Sequence, residues 1–114
     1  MATTSPLQTP VRLTLAGPLR PHSDVEVRLM LGHDMETGFR HDSSGVRVPK
    51  NIIETITVKL DQTLIFEATL GTGMSANPML FFPLTLPPDG GTLTVTWLDD
   101  QGRSGSTRKL LVYE

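Results

Sequence analysis

The chain of 114 residues has no cysteine. That one absence removes disulfides, thiolate nucleophiles, Cys-ligated zinc and iron–sulfur clusters together. Aromatic residues are nearly as sparse, and one Trp and one Tyr leave no platform for stacking single-stranded bases. Ten basic residues stand against 12 acidic ones, for a net charge of −2, and they do not cluster. The basic stripe that nucleic acid demands is therefore missing. No run approaches the roughly 20 apolar residues of a membrane helix. The opening MATTSPLQTP has neither the basic nor the apolar region of a secretory signal. Read alone, these absences lead one to expect a soluble, cytoplasmic chain that performs no thiol chemistry.

Apolar residues at 38% and charged residues at 19% are ordinary proportions for one packed core, and the length fits a single domain. Residues 11–114 read as that domain, and residues 1–10, with Thr, Ser and Pro, as a flexible leader. Short segments of Val, Ile, Leu, Thr and Phe recur between Gly, Pro and Asp clusters. The spacing predicts strands over Val11–Leu15 and Asp24–Leu31, the latter with Val25, Val27, Leu29 and Leu31 on one face. Ile52–Leu60 follows with Ile56, Val58 and Leu60 inward, and a two-residue turn at Asp61 and Gln62 leads into Leu64–Leu70. Gln62 lacks the tolerance for positive φ of the preferred hairpin residues. Pro78–Leu86 is apolar on both faces, and Pro83, unable to donate a ladder hydrogen bond, makes it an edge or bulged strand. Thr92–Leu98, with Leu93, Val95 and Trp97 inward, and Ser106–Val112 complete the set. About seven strands without a helical period point to an all-β, immunoglobulin-like sandwich, with a small barrel as the alternative.

The polar run GHDMETGFRHDSSG, Gly32 to Gly45, contains His33, Met35 and His41, whose imidazole and thioether groups suit copper. A blue-copper site needs a Cys, so the same residues read first as a solvated loop and not as a metal site. Asp99 and Asp100 are adjacent, so on a strand they would point to opposite faces, and DDQG reads as a turn rather than an acid–base pair. Ser75 has no triad partner in sequence, no nucleophile elbow is present, and the GTG at Gly71 opens no helix for phosphate. Met30, Ile53 and Ile65 fall on outward faces, and one of Phe81 and Phe82 must do the same. That is more apolar surface than a single inner face accommodates. Either a partner covers an outer sheet, or bulges turn these residues inward.

Further motifs occur in order: His33-Asp34-Met35-Glu36-Thr37-Gly38, then Arg40, Asp42, Gly45, Pro49, Ile52, Ile53 and Phe66, then Ser75-Ala76-Asn77-Pro78, Phe82, and Thr96-Trp97-Leu98-Asp99-Asp100-Gln101-Gly102. Taken jointly they resemble the SoxZ family of sulfur-oxidation proteins, from about Val11 onward. The leader and the Asp61-Gln62 turn, where Asn-Gly is common, depart from that pattern. The resemblance implies an immunoglobulin-like subunit without an enzymatic role or cofactor. It implies pairing with SoxY, whose C-terminal Gly-Gly-Cys-Gly-Gly arm carries thiosulfate-derived sulfur to SoxAX, SoxB and the sulfane dehydrogenase. It also implies a periplasmic location, reached by co-export with SoxY.

The expected partner contacts are Met79, Phe81 and Phe82, with Pro78 fixing the start of their strand. The segments His33–Arg40 and Ser75–Pro78 are expected to shape one end of the sandwich, bringing in His33, Met35, Glu36 and Asn77. Each has a purely structural counterpart: Gly38 and Gly45 supplying positive φ, Glu36 pairing with Arg40, Asn77 holding an Asx turn before Pro78. Two other functions remain open in the sequence: a metal-binding domain at His33, Met35 and His41, and a homo-oligomeric adhesion-like module. Self-association of the isolated chain through its apolar patch is expected as well.

Overall fold

The computed structural model describes residues 10–114; the expectation of a flexible leader otherwise concerns residues 1–9, outside the described residues. Seven strands run as β1 (Val11–Ala16), β2 (Asp24–Leu31), β3 (Ile53–Leu60), β4 (Thr63–Thr69), β5 (Met79–Thr85), β6 (Gly91–Asp99) and β7 (Ser104–Leu111). They form two antiparallel sheets, ordered β1-β2-β5 and β4-β3-β6-β7. This is an immunoglobulin-like sandwich. Its β4 joins β3 in the larger sheet, unlike the constant-type arrangement in which the fourth strand extends the opposite sheet.

Alternation in the sequence builds the core. Val25, Val27, Leu29 and Leu31 from β2 face Leu93, Val95 and Trp97 from β6, all nearly inaccessible. Ile56 and Val58 complete the inner face of β3. Ile53 corrects the reading that placed it outside: a register shift against β6 between Ile53 and Thr55 inserts an extra residue, and Ile53 turns wholly inward. Ile65 is corrected for the same kind of reason. Val58 pairs with Phe66 but Lys59 pairs with Leu64, so Ile65 is the bulged residue, and it packs with Phe66 against the core. The Asp61-Gln62 turn needs positive φ only at Asp61, at 52°, so Gln62 does not obstruct it.

β5 is an edge strand, as Pro83 requires. The gap between the edges β4 and β5 is closed by side chains: the rings of Phe66 and Phe82 stack 4.4 Å apart at 7°. Such a contact contributes about 0.5–1.5 kcal/mol beyond burial.

Candidate partner-binding site

The antiparallel pairings bring the scattered motifs to one end of the sandwich. β2 runs out into His33–Arg40 where β5 begins after Ser75–Pro78, and β6 runs out into Asp99–Gly102 where β3 begins. The first pair of loops is locked in both directions. The Asn77 N–H donates to the His33 carbonyl at 2.7 Å, and the Asn77 Oδ1 accepts from the His33 N–H at 3.1 Å. Asn77 therefore ties two loops together instead of holding a local Asx turn, and its φ of 54° is one that Asn tolerates.

Met35 follows with φ 54°, an uncommon conformation for such a side chain. Its N–H donates to the His33 Nδ1 at 2.9 Å, and its sulfur accepts the Ile53 N–H at 3.5 Å inside the core. Burial to 4% exposure offsets the backbone cost. Met35 thus bridges from the end of β2 to the first residue of β3. Its sulfur and the Nδ1 of His33 are both engaged within the fold, while His41 sits out on the loop, bridging Arg47. Two of the candidate ligand atoms therefore already accept backbone hydrogen bonds.

The second pair of loops is held by carboxylates. Asp99 lies at the inward end of β6, 2% exposed, and accepts from the N–H groups of Gln101 and Arg103 and from the Arg103 Nε, the last at 2.7 Å. Asp100 accepts the Ile52 N–H at 2.9 Å and returns its own N–H to the Ile52 carbonyl. Desolvation pushes the Asp100 carboxyl up, but the donated hydrogen bonds and nearby Lys50 outweigh it, leaving the group below its ordinary pKa. The DDQG segment is therefore a structural turn, and both acids are occupied as acceptors. Asn51 links the two halves: it exchanges backbone hydrogen bonds with Glu36 and accepts from the Arg103 guanidinium at 3.3 Å.

Glu36 and Arg40 form the expected loop ion pair at 2.7 Å, and the Arg40 hydrogen bond holds the Glu36 carboxyl below its usual range. Gly38 and Gly45 take φ of 90° and 80°, the role foreseen for them. An open cleft of about 570 Å³ lies over this junction, lined by Glu36, Lys50, Asn51, Gln101 and Arg103 among others. Arg103 there is already paired with Asp99.

The apolar surface lies elsewhere, on the outer face of β1-β2-β5. There Met30 pairs with Met79, Arg28 with Phe81 and Glu26 with Pro83 in successive rows. Met79 and Phe81 are 53% and 52% exposed. Phe82 and Pro78, by contrast, are buried, as is Met35. These three are corrected as direct contacts: their side chains pack inward, so they can only position the residues that face out. Phe39, 74% exposed in the β2–β3 loop, was not singled out in the sequence. Its signal was a lone aromatic within a polar run.

Residues 18–109 match the family described as sulphur oxidation protein SoxZ, most of the chain. The chain belongs to the SoxZ family. No curated protein sequence matches it. Among solved structures, this SoxZ family member is similar to a superoxide reductase (neelaredoxin) from Ignicoccus hospitalis, 16% identical, with TM-score 0.66 over 93% of this chain and 82% of that one. A hypothetical protein from Pyrococcus horikoshii OT3 is 10% identical, with TM-score 0.61 over 97% and 94% of the two chains. A variant of the superoxide reductase (neelaredoxin) from Archaeoglobus fulgidus, in the reduced form, is 14% identical with TM-score 0.56, over 93% and 88%. These likenesses establish the sandwich fold of the SoxZ chain and nothing of its chemistry.

Proposed function

We propose that this sulfur-oxidation subunit is the non-catalytic half of a SoxYZ heterodimer, acting in the periplasm after co-export with SoxY. Its task is to hold SoxY so that the cysteine-bearing arm can visit SoxAX, SoxB and the sulfane dehydrogenase. Family membership supports the process, and the absence of cysteine from these 114 residues fits a subunit that leaves the thiol-bound sulfur to its partner. The observation that carries the pairing is the contiguous outward row of Met30, Met79, Phe81 and Pro83 on a sheet whose last strand among the described residues is β5. A patch of that kind on a small domain marks an interaction surface. Methionine adapts to an irregular partner, and the aromatic ring supplies the anchor. The hydrogen-bonded end, with His33, Glu36 and Asn77, offers a rigid rim beside that face.

Co-expression with SoxY tests this directly. The two chains should co-purify in equal amounts, and failure to do so with both chains folded would remove the reading. Replacing Phe81 with Asp should separate them.

A further inference from the structure

We propose that the outer face of β1-β2-β5 is self-complementary, so that in the absence of a partner a second copy of this chain docks on it antiparallel about a two-fold axis. The inference shares its surface with the functional reading above but does not depend on the identity of SoxY.

The argument comes from the register. On the outward side of β2, Arg28 and Glu26 are two residues apart, joined by an exposed ion pair at 2.8 Å. Beside them on β5, in the same two rows, stand Phe81 and Pro83. The charges are thus polarised along the strands, with Arg12 and Arg28 toward the Met30 end and Glu26 and Asp24 toward the other. Laying a second sheet on this face with its strands parallel, row on row, would set Arg28 against Arg28 and Glu26 against Glu26.

A two-fold axis lying across the strands, between those two rows, reverses the polarity and keeps β2 over β2 and β5 over β5. Arg28 then lies over Glu26 of the second copy, and Phe81 over its Pro83, each contact occurring twice as an isologous interface requires. The four charges make a ring of alternating sign, and the two aromatic–proline contacts sit beside it. The rows outside these set Met30 over Asp24 and Met79 over Thr85 of the second copy, so the two central rows carry the contact.

The size of the face sets the strength. Three strands spaced about 4.8 Å and seven residues at about 3.3 Å give roughly 330 Å² in projection. Even with surface relief this is smaller than the roughly 800 Å² per partner of a standard stable interface. The pairing is therefore weak and governed by concentration, which leaves the face free for a tighter partner.

Sedimentation velocity on the purified 114-residue chain alone, between about 10 μM and 1 mM, reads this out. The weight-average sedimentation coefficient is expected to rise from monomer toward dimer across that range. Phe81→Asp should weaken association at least about thirty-fold. Arg28→Glu should weaken it about five-fold, and Arg28→Glu combined with Glu26→Arg should restore it, because reversing both charges preserves the ring. Thermal melts establish that each variant is folded, as expected for substitutions at exposed positions. A wild-type chain that stays monomeric at about 1 mM overturns the proposal, as does a dimer indifferent to Phe81→Asp or a double charge reversal that fails to restore association. A monomer that still binds SoxY would defeat this inference alone and leave the functional reading standing.

Discussion

The two sheets share one core and present opposite surfaces to the outside. On β4-β3-β6-β7 the outward positions are Thr55, Thr57, Thr94, Thr96 and Ser106, with Lys59 and Arg108. The exposed Leu64, Leu98 and Leu110 on that side fall in separate rows among hydroxyls and charges. Scattered singly, such residues are ordinary surface. On β1-β2-β5 the four outward apolar residues, Met30, Met79, Phe81 and Pro83, are contiguous along one edge. Arrangement, not apolar content, separates a solvent face from a docking face here.

Several substitutions sharpen or break that contrast. The largest effect is expected at Phe82, one residue from Phe81 but stacked on Phe66. Phe82→Ala should cost about 3–5 kcal/mol of stability, measured by urea denaturation, and should weaken partner binding only as far as it unfolds the chain. Phe81→Ala should do the reverse, leaving stability within about 0.5 kcal/mol while weakening SoxY binding about thirty-fold in a calorimetric titration. Equal stability losses at both positions would erase the distinction between inner and outer face.

Next in size is the buried acid that closes the end of the larger sheet. Asp99→Ala leaves the Arg103 guanidinium with Asn51 alone and strands two backbone donors. The cost expected is about 2–3 kcal/mol, below that of a fully buried pair because Arg103 is partly exposed to water. A chemical denaturation midpoint unchanged from wild type would contradict the role given to this turn.

The smallest effect is a pH dependence at Asp100. Its folded pKa is depressed, so the stability it contributes is complete above its ordinary value of 3.8 and is lost as pH falls through the lower folded value. Asp100→Asn should flatten the fall in stability below that pH in acid titrations followed by circular dichroism. A variant whose acid limb overlays wild type would show that the Ile52 N–H gains nothing from the charge.

Much of the fold was legible because β2 and β6 alternate without interruption and Pro83 restricts its strand to an edge or a bulge. Ile53 and Ile65 were misplaced because a bulge shifts the period by one residue, and nothing in the neighbouring side chains announces it. The segment Met79-Leu80-Phe81-Phe82 is apolar in both phases, so its register against β2, with Phe82 beside buried Val27 and Phe81 beside Arg28, decides which ring is buried. At the end of the sandwich the Glu36–Arg40 pair was readable, being local. The His33–Asn77 lock was not, since it joins residues 44 apart in the chain. Nor was the place of Met35 legible: it lies in a polar run, yet its side chain is in the core and holds the first amide of β3.

The central claim is that the apolar outer face, and not the hydroxyl face, meets the partner. Hydrogen exchange of the backbone amides, compared for the chain alone and with SoxY bound, tests it on one edge strand of each sheet. Exchange across Met79–Thr85 should slow on binding, while Ser104–Leu111 at the far edge of the other sheet should exchange as before. Protection that appears on Ser104–Leu111 and leaves Met79–Thr85 unchanged would contradict the account.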